Sequence, residues 1–408
     1  MNIVCINTVH NGSTGTIMRQ VADCARQQGH SVTTFSTYGF SFSLKPPRVS
    51  KPEILPELPG HRYYGSYLSK AFHTFAGIFT GGNGCFSGFA TAKLLREIDR
   101  LQPDLIHLHN LHGFCINLPM LFGYIKKKKI KVIWTLHDCW SFTGHCPHFQ
   151  GIGCEKWKTH CHHCPLYRGY PVSYTDNSRW MFDKKRKWFT GVEDLTLVTP
   201  SQWLADIVKQ SFLKEYPVQV IHNGIDLSVF RPTPSDFRKN YACQNKFLLL
   251  SVAAGWDERK GLDVLIELSQ RLDPEIFQII LVGTDDLVDQ QLPSQIISIH
   301  RTENPRQLAE IYTAADLFVN PTREDNFPST NVEALACGTP VITYRTGGSP
   351  EAVTPSCGQV IEKGDLEQLE FSIREIQKNR PFSTQACVSR GKQFDKYEKF
   401  GEYVSLYE

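Results

Sequence analysis

At 408 residues the chain is too long for one ordinary core, so two domains are expected. Apolar residues at 41% and charged residues at 21% exclude a disordered or fibrous chain. The net charge of +3, from 44 basic and 41 acidic side chains, is too small to argue for nucleic acid by itself, and no run of about 18 apolar residues is present to span a membrane. The opening MNIVCINTVHNGSTG lacks a basic leader and reads as a first strand running into a Gly-rich turn, not as a signal peptide. Thirteen cysteines, most of them in apolar segments, fit a reducing, cytoplasmic setting, with cysteine as a small hydrophobe or a metal ligand.

The predicted elements alternate strand, turn and helix. NIVCINT is a strand, TIMRQVADCARQQG a helix stopped at Gly29, and SVTTFST the next strand. An irregular stretch rich in Pro and aromatics follows, from 40 to about 89. Then come the helix TAKLLREIDRLQ, the strand DLIHLHN, a helix ending in the lysines 126–129 and the strand KVIWTLHD. A Cys/His-rich insertion fills about 139–164, before the strands DLTLVTPS and VQVIHNG with the helix QWLADIVKQSF between them. The pattern restarts with FLLLSVA, GLDVLIELSQRL, FQIILVG, PRQLAEIYTAA and DLFVNP, and ends through PVITY, QVIE and LEQLEFSIREIQKN. Such alternation implies parallel sheets covered by helices on both faces, an α/β architecture with two doubly wound domains. The breakers in HNGIDLSVFRPTPSD mark the joint. The expected domains are 1–222, an acceptor domain carrying the insertion, 223–385, a donor domain, and 386–408, a C-terminal helix packing back on the first.

The densest chemistry lies in REDNFPSTNVEALACGTPVITYRTGGSPE, residues 323–351. TNVE at 330–333 fits a capping box, with Thr330 as cap and Glu333 reaching back to its N–H. That accounts for Glu333 but leaves Asp325 and TGGSPE unexplained. A helix start suits an anion such as a diphosphate, a carboxylate beside it accepts sugar or ribose hydroxyls, and Gly347 with Gly348 permits close backbone approach. An acidic residue, seven intervening residues and a glutamate, followed by ALACGTPVI and TGGSPE, resembles the donor site of glycosyltransferase family 4. HNGID at 222–226, the PS of LVTPSQWL and RKGLDVLI at 259–266 extend the resemblance over most of the chain.

The resemblance implies the GT-B fold: two Rossmann-like domains facing across a cleft, in a retaining enzyme of the bacterial surface-polysaccharide, colanic-acid-like branch. It implies that the first acidic residue contacts the transferred sugar while Glu333 holds the ribose. The family has glutamate at that first position; here Asp325 stands there, and either it approaches the sugar more closely or Glu324 substitutes. Lys260 occupies the place of the lysine that neutralises the diphosphate. The arginine upstream is replaced near Gly255, leaving Arg259 as the nearest guanidinium or as a solvated helix-start charge. Backbone amides of Ser329, Thr330, Asn331, Gly347 and Gly348 complete the expected donor site.

On the acceptor side, VIWTLHDCW puts His137 at a strand's carboxyl end, where a lone histidine is more often structural; the resemblance places it near the transferred sugar, with Asp138 to orient it or hold the acceptor. His107 and His109 end the neighbouring strand, each facing the acceptor or simply hydrogen-bonded in its loop. The turn NGSTG, with Gly12, Ser13 and Gly15, is not the GxGxxG fingerprint, so a nicotinamide cofactor is poorly supported and the loop is expected to face the cleft. Cys146, Cys154, Cys161 and Cys164, spaced C-x7-C-x6-C-x2-C, could close a structural zinc site, with disulfides as the rival; no cofactor is expected for catalysis. KKKKIK at 126–131 is by default a solvated helix end, yet with the aromatic AFHTFAGIFTGGNGCFSGF it fits peripheral attachment to a membrane's inner face.

The function expected is transfer of a sugar from a nucleotide-diphosphate donor to a glycan or polyprenyl-linked acceptor. A nucleotide-sugar epimerase of the same fold is the alternative, turning over donor without acceptor. A zinc-binding nucleic-acid-interaction protein would leave the donor block unexplained, and no nucleic-acid partner is expected.

Overall fold

The computed structural model describes residues 1–37 and 58–408, together with the backbone of two short paired strands between them. It divides into two compact units, one of Met1–Ile221 with Phe400–Glu408 and one of His222–Lys399.

The first unit runs β1 (Asn2–Val9), α1 (Gly12–Gln27), β2 (Ser31–Thr37), the antiparallel pair β3 (Phe42–Leu44) and β4 (Pro47–Val49), β5 (His61–Tyr63), α2 (Tyr67–Thr80) and α3 (Gly88–Leu101). It continues through β6 (Leu105–Leu108), α4 (Leu118–Lys128), β7 (Lys131–Thr135), α5 (Ser178–Phe189), β8 (Leu195–Thr199), α6 (Gln202–Val208) and β9 (Val218–Val220). Its sheet has the order β5-β2-β1-β6-β7-β8-β9, with every pairing parallel. Alternate side chains of β1 enter opposite layers: Val4 and Ile6 pack with Leu94, Phe122 and Trp134, while Ile3 and Cys5 pack with Met18 and Val21 of α1. That two-sided burial is why the strand reads as an unbroken apolar run.

The second unit holds α7 (Phe237–Asn240), β10 (Phe247–Val252), α8 (Leu262–Arg271), β11 (Phe277–Val282), α9 (Asp286–Asp289), β12 (Ile296–Ile299) and α10 (Pro305–Ala314). After these come β13 (Leu317–Asn320), α11 (Ser329–Ala336), β14 (Val341–Tyr344), β15 (Gly358–Ile361), α12 (Leu366–Asn379) and α13 (Thr384–Gly391); α14 (Lys396–Ser405) starts in this unit and belongs to the first from Phe400 on. The parallel sheet is ordered β12-β11-β10-β13-β14-β15. Phe247 and Leu249 of β10 face one layer, Leu248 and Leu250 the other. Phe400, Tyr403, Val404 and Tyr407 lie in the first unit's core beside Ile3, Cys5 and Met18.

In each sheet the order reverses once, between β1 and β6 and between β10 and β13. The loops leaving those pairs diverge, and the gap at their carboxyl ends is where doubly wound sheets hold ligands. Several elements depart from the sequence reading. The stretch from 40 to 89, expected to be irregular, contains β5 and the fourteen-residue α2, while its part from 40 to 57 lies, β3 and β4 apart, outside the described residues. The helix α2 escaped notice because it turns its aromatic residues outward. The capping box also fails: α11 starts at Ser329 with Pro328 as its cap, so Thr330 lies inside the first turn.

Candidate functional site

Between β10 and β13 the second sheet changes direction, and the loops after these strands interlock. Beyond β10 a 3-10 turn, Glu258–Lys260, is capped by Asp257, whose Oδ1 accepts the Lys260 N–H at 3.0 Å. Gly261 follows with φ of +80°, and a Cβ there would stand 2.5 Å from the Pro321 carbonyl oxygen, so only glycine lets the two loops meet. The Arg259 carbonyl accepts the Arg323 N–H at 2.8 Å. Clamped in this way, Lys260 places its Nζ 2.6 Å from Asp325 Oδ2, with the side chains 22% and 19% exposed. Of the two neighbouring acids, Asp325 therefore meets the lysine; the Glu324 carbonyl accepts from Arg259 Nη1 at 3.3 Å. The rest of the Arg259 guanidinium lies toward Asp257, 3.9 Å away, at the surface.

The next turn is built against this one. Gly347, φ +55°, sits so close to Asp325 that a Cβ would fall 1.7 Å from the Asp325 carbonyl oxygen. The Gly348 N–H donates to the Asn326 carbonyl at 3.0 Å and the Asn331 N–H to the Pro328 carbonyl at 3.2 Å. These two amides, expected to face a diphosphate, are engaged within the protein. The Asn331 side chain is wholly buried, accepting from Asn320 Nδ2 at 2.7 Å and donating to Ser349 Oγ at 3.0 Å. It ties the end of β13, the start of α11 and the turn after β14 into one frame, while Ser329 and Thr330 stay half-exposed at the helix start. Glu333 Oε2 accepts from Tyr312 Oη at 2.9 Å, and burial pushes its carboxyl above the usual range despite hydrogen bonds from Tyr312 and Ser329. Sequence reasoning quoted HNGID and TGGSPE but gave their ends no role: His222 Nε2 and Glu351 Oε2 meet at 3.0 Å, under the ring of Phe327.

In the first unit the same position, between β1 and β6, gathers the expected acceptor-side residues. Gly15 packs on the turn before it, where a Cβ would lie 2.2 Å from the His10 carbonyl oxygen; Gly12, φ +76°, and Ser13 are exposed at the helix start. His107 is structural, held by Tyr407 Oη and Thr135 Oγ1 at 2.8 Å each. His109 Nδ1 and His137 Nε2 share a hydrogen bond of 3.1 Å with their rings stacked. Burial pulls His137 down to about 4, Asp138 opposing and His112 adding to the effect, and drives His109 well below its ordinary value. Asp138 spends its oxygens elsewhere than expected: Oδ2 meets His112 Nε2 at 2.8 Å and Oδ1 accepts the Trp140 N–H at 2.8 Å. Burial would raise this carboxyl, but the histidines 112 and 148 and that N–H hold it down to about 2.

Comparison with known proteins now decides the class. The sequence profile described as Glycosyltransferase Family 4 matches residues 14–229, and that described as Glycosyl transferases group 1 matches residues 233–394. The chain belongs to Glycosyltransferase Family 4. It is 27% identical over 329 residues to WcaC of Escherichia coli K12, named as a colanic acid biosynthesis glycosyl transferase, across 78% of this chain and 79% of that one. It is 27% identical over 191 residues to the D-inositol 3-phosphate glycosyltransferase of Mycolicibacterium smegmatis, across 43% and 44% of the two chains. Among solved structures it resembles sucrose-phosphate synthase from Thermosynechococcus elongatus (TM-score 0.70, 17% identity, 100% and 98% coverage). It also resembles Anabaena HepE in complex with UDP (TM-score 0.66, 16% identity, 100% and 99% coverage). The fold of this family 4 glycosyltransferase is thus GT-B, built from two Rossmann-like domains.

The zinc centre expected in the Cys-rich insertion of this family member finds no support in the structure. Among the described residues no group of three or more His, Cys, Asp or Glu side chains is gathered to hold a metal, and all thirteen cysteines are free thiols, so disulfides fail as well. Instead Cys146, Cys154, Cys161 and Cys164 join the first unit's core with Phe149 and Trp157. A hydrogen bond with Cys164, together with burial, raises Cys146; the same hydrogen bond lowers Cys164 to about 7, and burial pushes Cys161 up to about 11. The insertion is held by Lys185, which the sequence reading missed. Wholly buried, its Nζ donates to the Trp140 and Thr143 carbonyls at 2.6 and 3.0 Å and lies 3.4 Å from the Trp140 ring centre. Burial pulls this ammonium down to about 7, the neighbouring thiols and Asp138 opposing. No helix among the described residues is long and apolar enough to cross a membrane.

Proposed function

We propose that this glycosyltransferase moves a sugar, with retention at its anomeric carbon, from a nucleoside-diphosphate sugar to a glycan or polyprenyl-linked acceptor of a bacterial surface polysaccharide. We place the reaction at the cytoplasmic face of the membrane. The single observation that carries the reading is the Lys260–Asp325 pair at 2.6 Å, set at the carboxyl ends of β10 and β13 with Glu333 on the adjoining helix. The lysine offsets diphosphate charge without a divalent ion, Asp325 accepts hydroxyls of the transferred sugar, and Glu333 takes the ribose. Ser329, Thr330 and Gly347 offer backbone at the phosphates, with Arg259 at the rim. The relatives add support: WcaC is named for colanic acid biosynthesis, and HepE was crystallised with UDP-glucose.

In this mechanism the acceptor hydroxyl attacks from the face the diphosphate leaves. The new C–O bond forms as the sugar–phosphate bond breaks, and the hydroxyl proton passes to the departing phosphate oxygen. His137, neutral near pH 7, serves by hydrogen bonding and not by charge, alongside His109, Gly12 and Ser13 on the acceptor side. The test is thermal unfolding of the protein against UDP-, GDP-, ADP- and CMP-sugars. A donor at a hundred times its dissociation constant adds about 2.7 kcal/mol to the folded state, so one base should raise the transition selectively. No shift with any of the four would sink the donor assignment.

A further inference from the structure

The helix α2 is amphipathic in the inverted sense. Lys70, His73, Thr74, Gly77 and Ile78 face inward, whereas Leu68, Phe72, Phe75 and Phe79 are 78, 63, 65 and 51% exposed. The exposed four stand at i, i+4, i+7 and i+11, one continuous stripe. The inward polar groups are fixed in place: His73 Nδ1 bonds Ser87 Oγ at 2.8 Å, its Nε2 accepts the Gly84 N–H at 3.2 Å, and Lys70 Nζ donates to Thr37 Oγ1 at 3.1 Å. A Cβ on Gly77 would lie 2.6 Å from the Phe114 ring, so the helix sits flush and cannot roll to hide its aromatic side. The apolar surface extends past the helix. Phe79 meets Tyr174, 51% exposed, at 5.4 Å between rings, and Phe72 meets Phe86 at 6.2 Å, one turn before Phe89, which is 96% exposed.

Cations border this surface. The segment 174–177 grips the last turn of α2, through Tyr174 N–H to the Ile78 carbonyl at 2.7 Å and Asn177 Nδ2 to the Thr80 carbonyl at 3.1 Å, and leads directly into α5. That helix carries Arg179, Lys184, Arg186 and Lys187, none with an ion-pair partner among the described residues, while its one acid, Asp183, pairs with His160 at 2.9 Å. Trp180 is half-exposed beneath Lys184, whose Nζ is 5.2 Å from the ring centre. At the far end the Lys187 carbonyl accepts Lys126 Nζ at 3.2 Å, which brings the lysine run of α4 to the same border.

We propose that the stripe Leu68–Phe72–Phe75–Phe79, with Tyr174 and Phe89, is a docking surface for an anionic lipid bilayer. The aromatic rings enter the boundary between headgroups and acyl chains, and the cations of α5 meet lipid phosphates. Exposed aromatics beside unpaired lysine and arginine match the layered chemistry of such a surface. A second copy of the chain would set the same cations against one another. The surface uses no residue assigned to donor or acceptor, so it stands or falls apart from the sugar-transfer reading.

The experiment is co-sedimentation of the full chain with vesicles of phosphatidylcholine alone and of phosphatidylcholine mixed with phosphatidylglycerol, at low and high salt. The protein should pellet with the anionic vesicles about tenfold more than with the neutral ones, a preference that salt weakens. Phe72→Ser, Phe75→Ser and Phe79→Ser together should cut binding to anionic vesicles by about tenfold or more. Arg179→Gln with Lys184→Gln should instead reduce the preference for anionic lipid. Thermal unfolding of each variant confirms that these exposed changes leave the fold in place. Wild-type protein that stays in the supernatant with both vesicles, a triple serine variant that pellets undiminished, or a dimer abolished by those serines without vesicle binding would each overturn the proposal.

Discussion

Lys260 and Asp325 lie 65 positions apart and are brought to 2.6 Å by two loops that interlock only because Gly261 and Gly347 lack side chains. With no donor bound, the aspartate is the lysine's counter-ion; a diphosphate arriving at Lys260 would compete for the ammonium and release the carboxylate toward the sugar. On the proposed function, charge and not shape is what Asp325 contributes. Asp325→Asn keeps the volume and leaves Lys260 without its partner, which at partial exposure costs about 1 kcal/mol of stability. Transfer should fall by about two to three orders of magnitude, with the loss in kcat and nucleotide affinity held within about threefold. Steady-state kinetics beside nucleotide titration separates the two effects. Undiminished kcat would remove Asp325 from the reaction.

At the scale of elements, the carboxyl ends of β6 and β7 carry a row of stacked histidines whose protonation burial opposes. His107 is pulled down to about 3, His137 to about 4, and His109 well below its usual value. An unfolded histidine takes its proton near pH 6.5, so between that pH and about 4 the unfolded chain binds more protons than the folded one. The stabilisation is therefore complete above pH 6.5 and lost as pH falls toward 4 and below. Histidine NMR between pH 8 and 5 should show these three rings without a titration step; a midpoint near 6.5 in any of them would contradict it. What was legible follows the same logic of faces. Strands buried on both sides, such as Phe247–Val252, announce themselves as apolar runs. The helix α2 was missed because its apolar stripe faces out, and α5 because its sequence is crowded with lysine and arginine. The family resemblance of residues 323–351 could be read by their spacing. The pairs Lys260–Asp325 and His222–Glu351 could not, since they join segments far apart in sequence, and the cysteine spacing suggested a metal where the four side chains pack into or against the first unit's core.

For the molecule as a whole, the first unit is not closed by the first 221 residues. Phe400, Tyr403, Val404 and Tyr407 are each about 1% exposed in the layer beneath β1, with Ile3, Cys5, Met18 and Val21. Tyr407 also answers two polar demands: its Oη bonds the buried His107 at 2.8 Å, and its carbonyl accepts Lys131 Nζ at 2.8 Å. Burying four such side chains is worth roughly 1.5–3 kcal/mol each as an upper estimate, a sum on the order of a whole domain's net stability. Removing Phe400–Glu408 would open that layer to water and strip His107 of a partner in a site too dry to replace it. The shortened chain should therefore lose the cooperative melting of its first unit and become protease-sensitive within residues 1–221. Tyr407→Phe, which keeps the packing and deletes only the hydroxyl, should cost about 1–2 kcal/mol. Limited proteolysis and thermal unfolding of both variants give the comparison. A truncated chain that melts like the full one would mean that the last nine residues lie on the core without closing it.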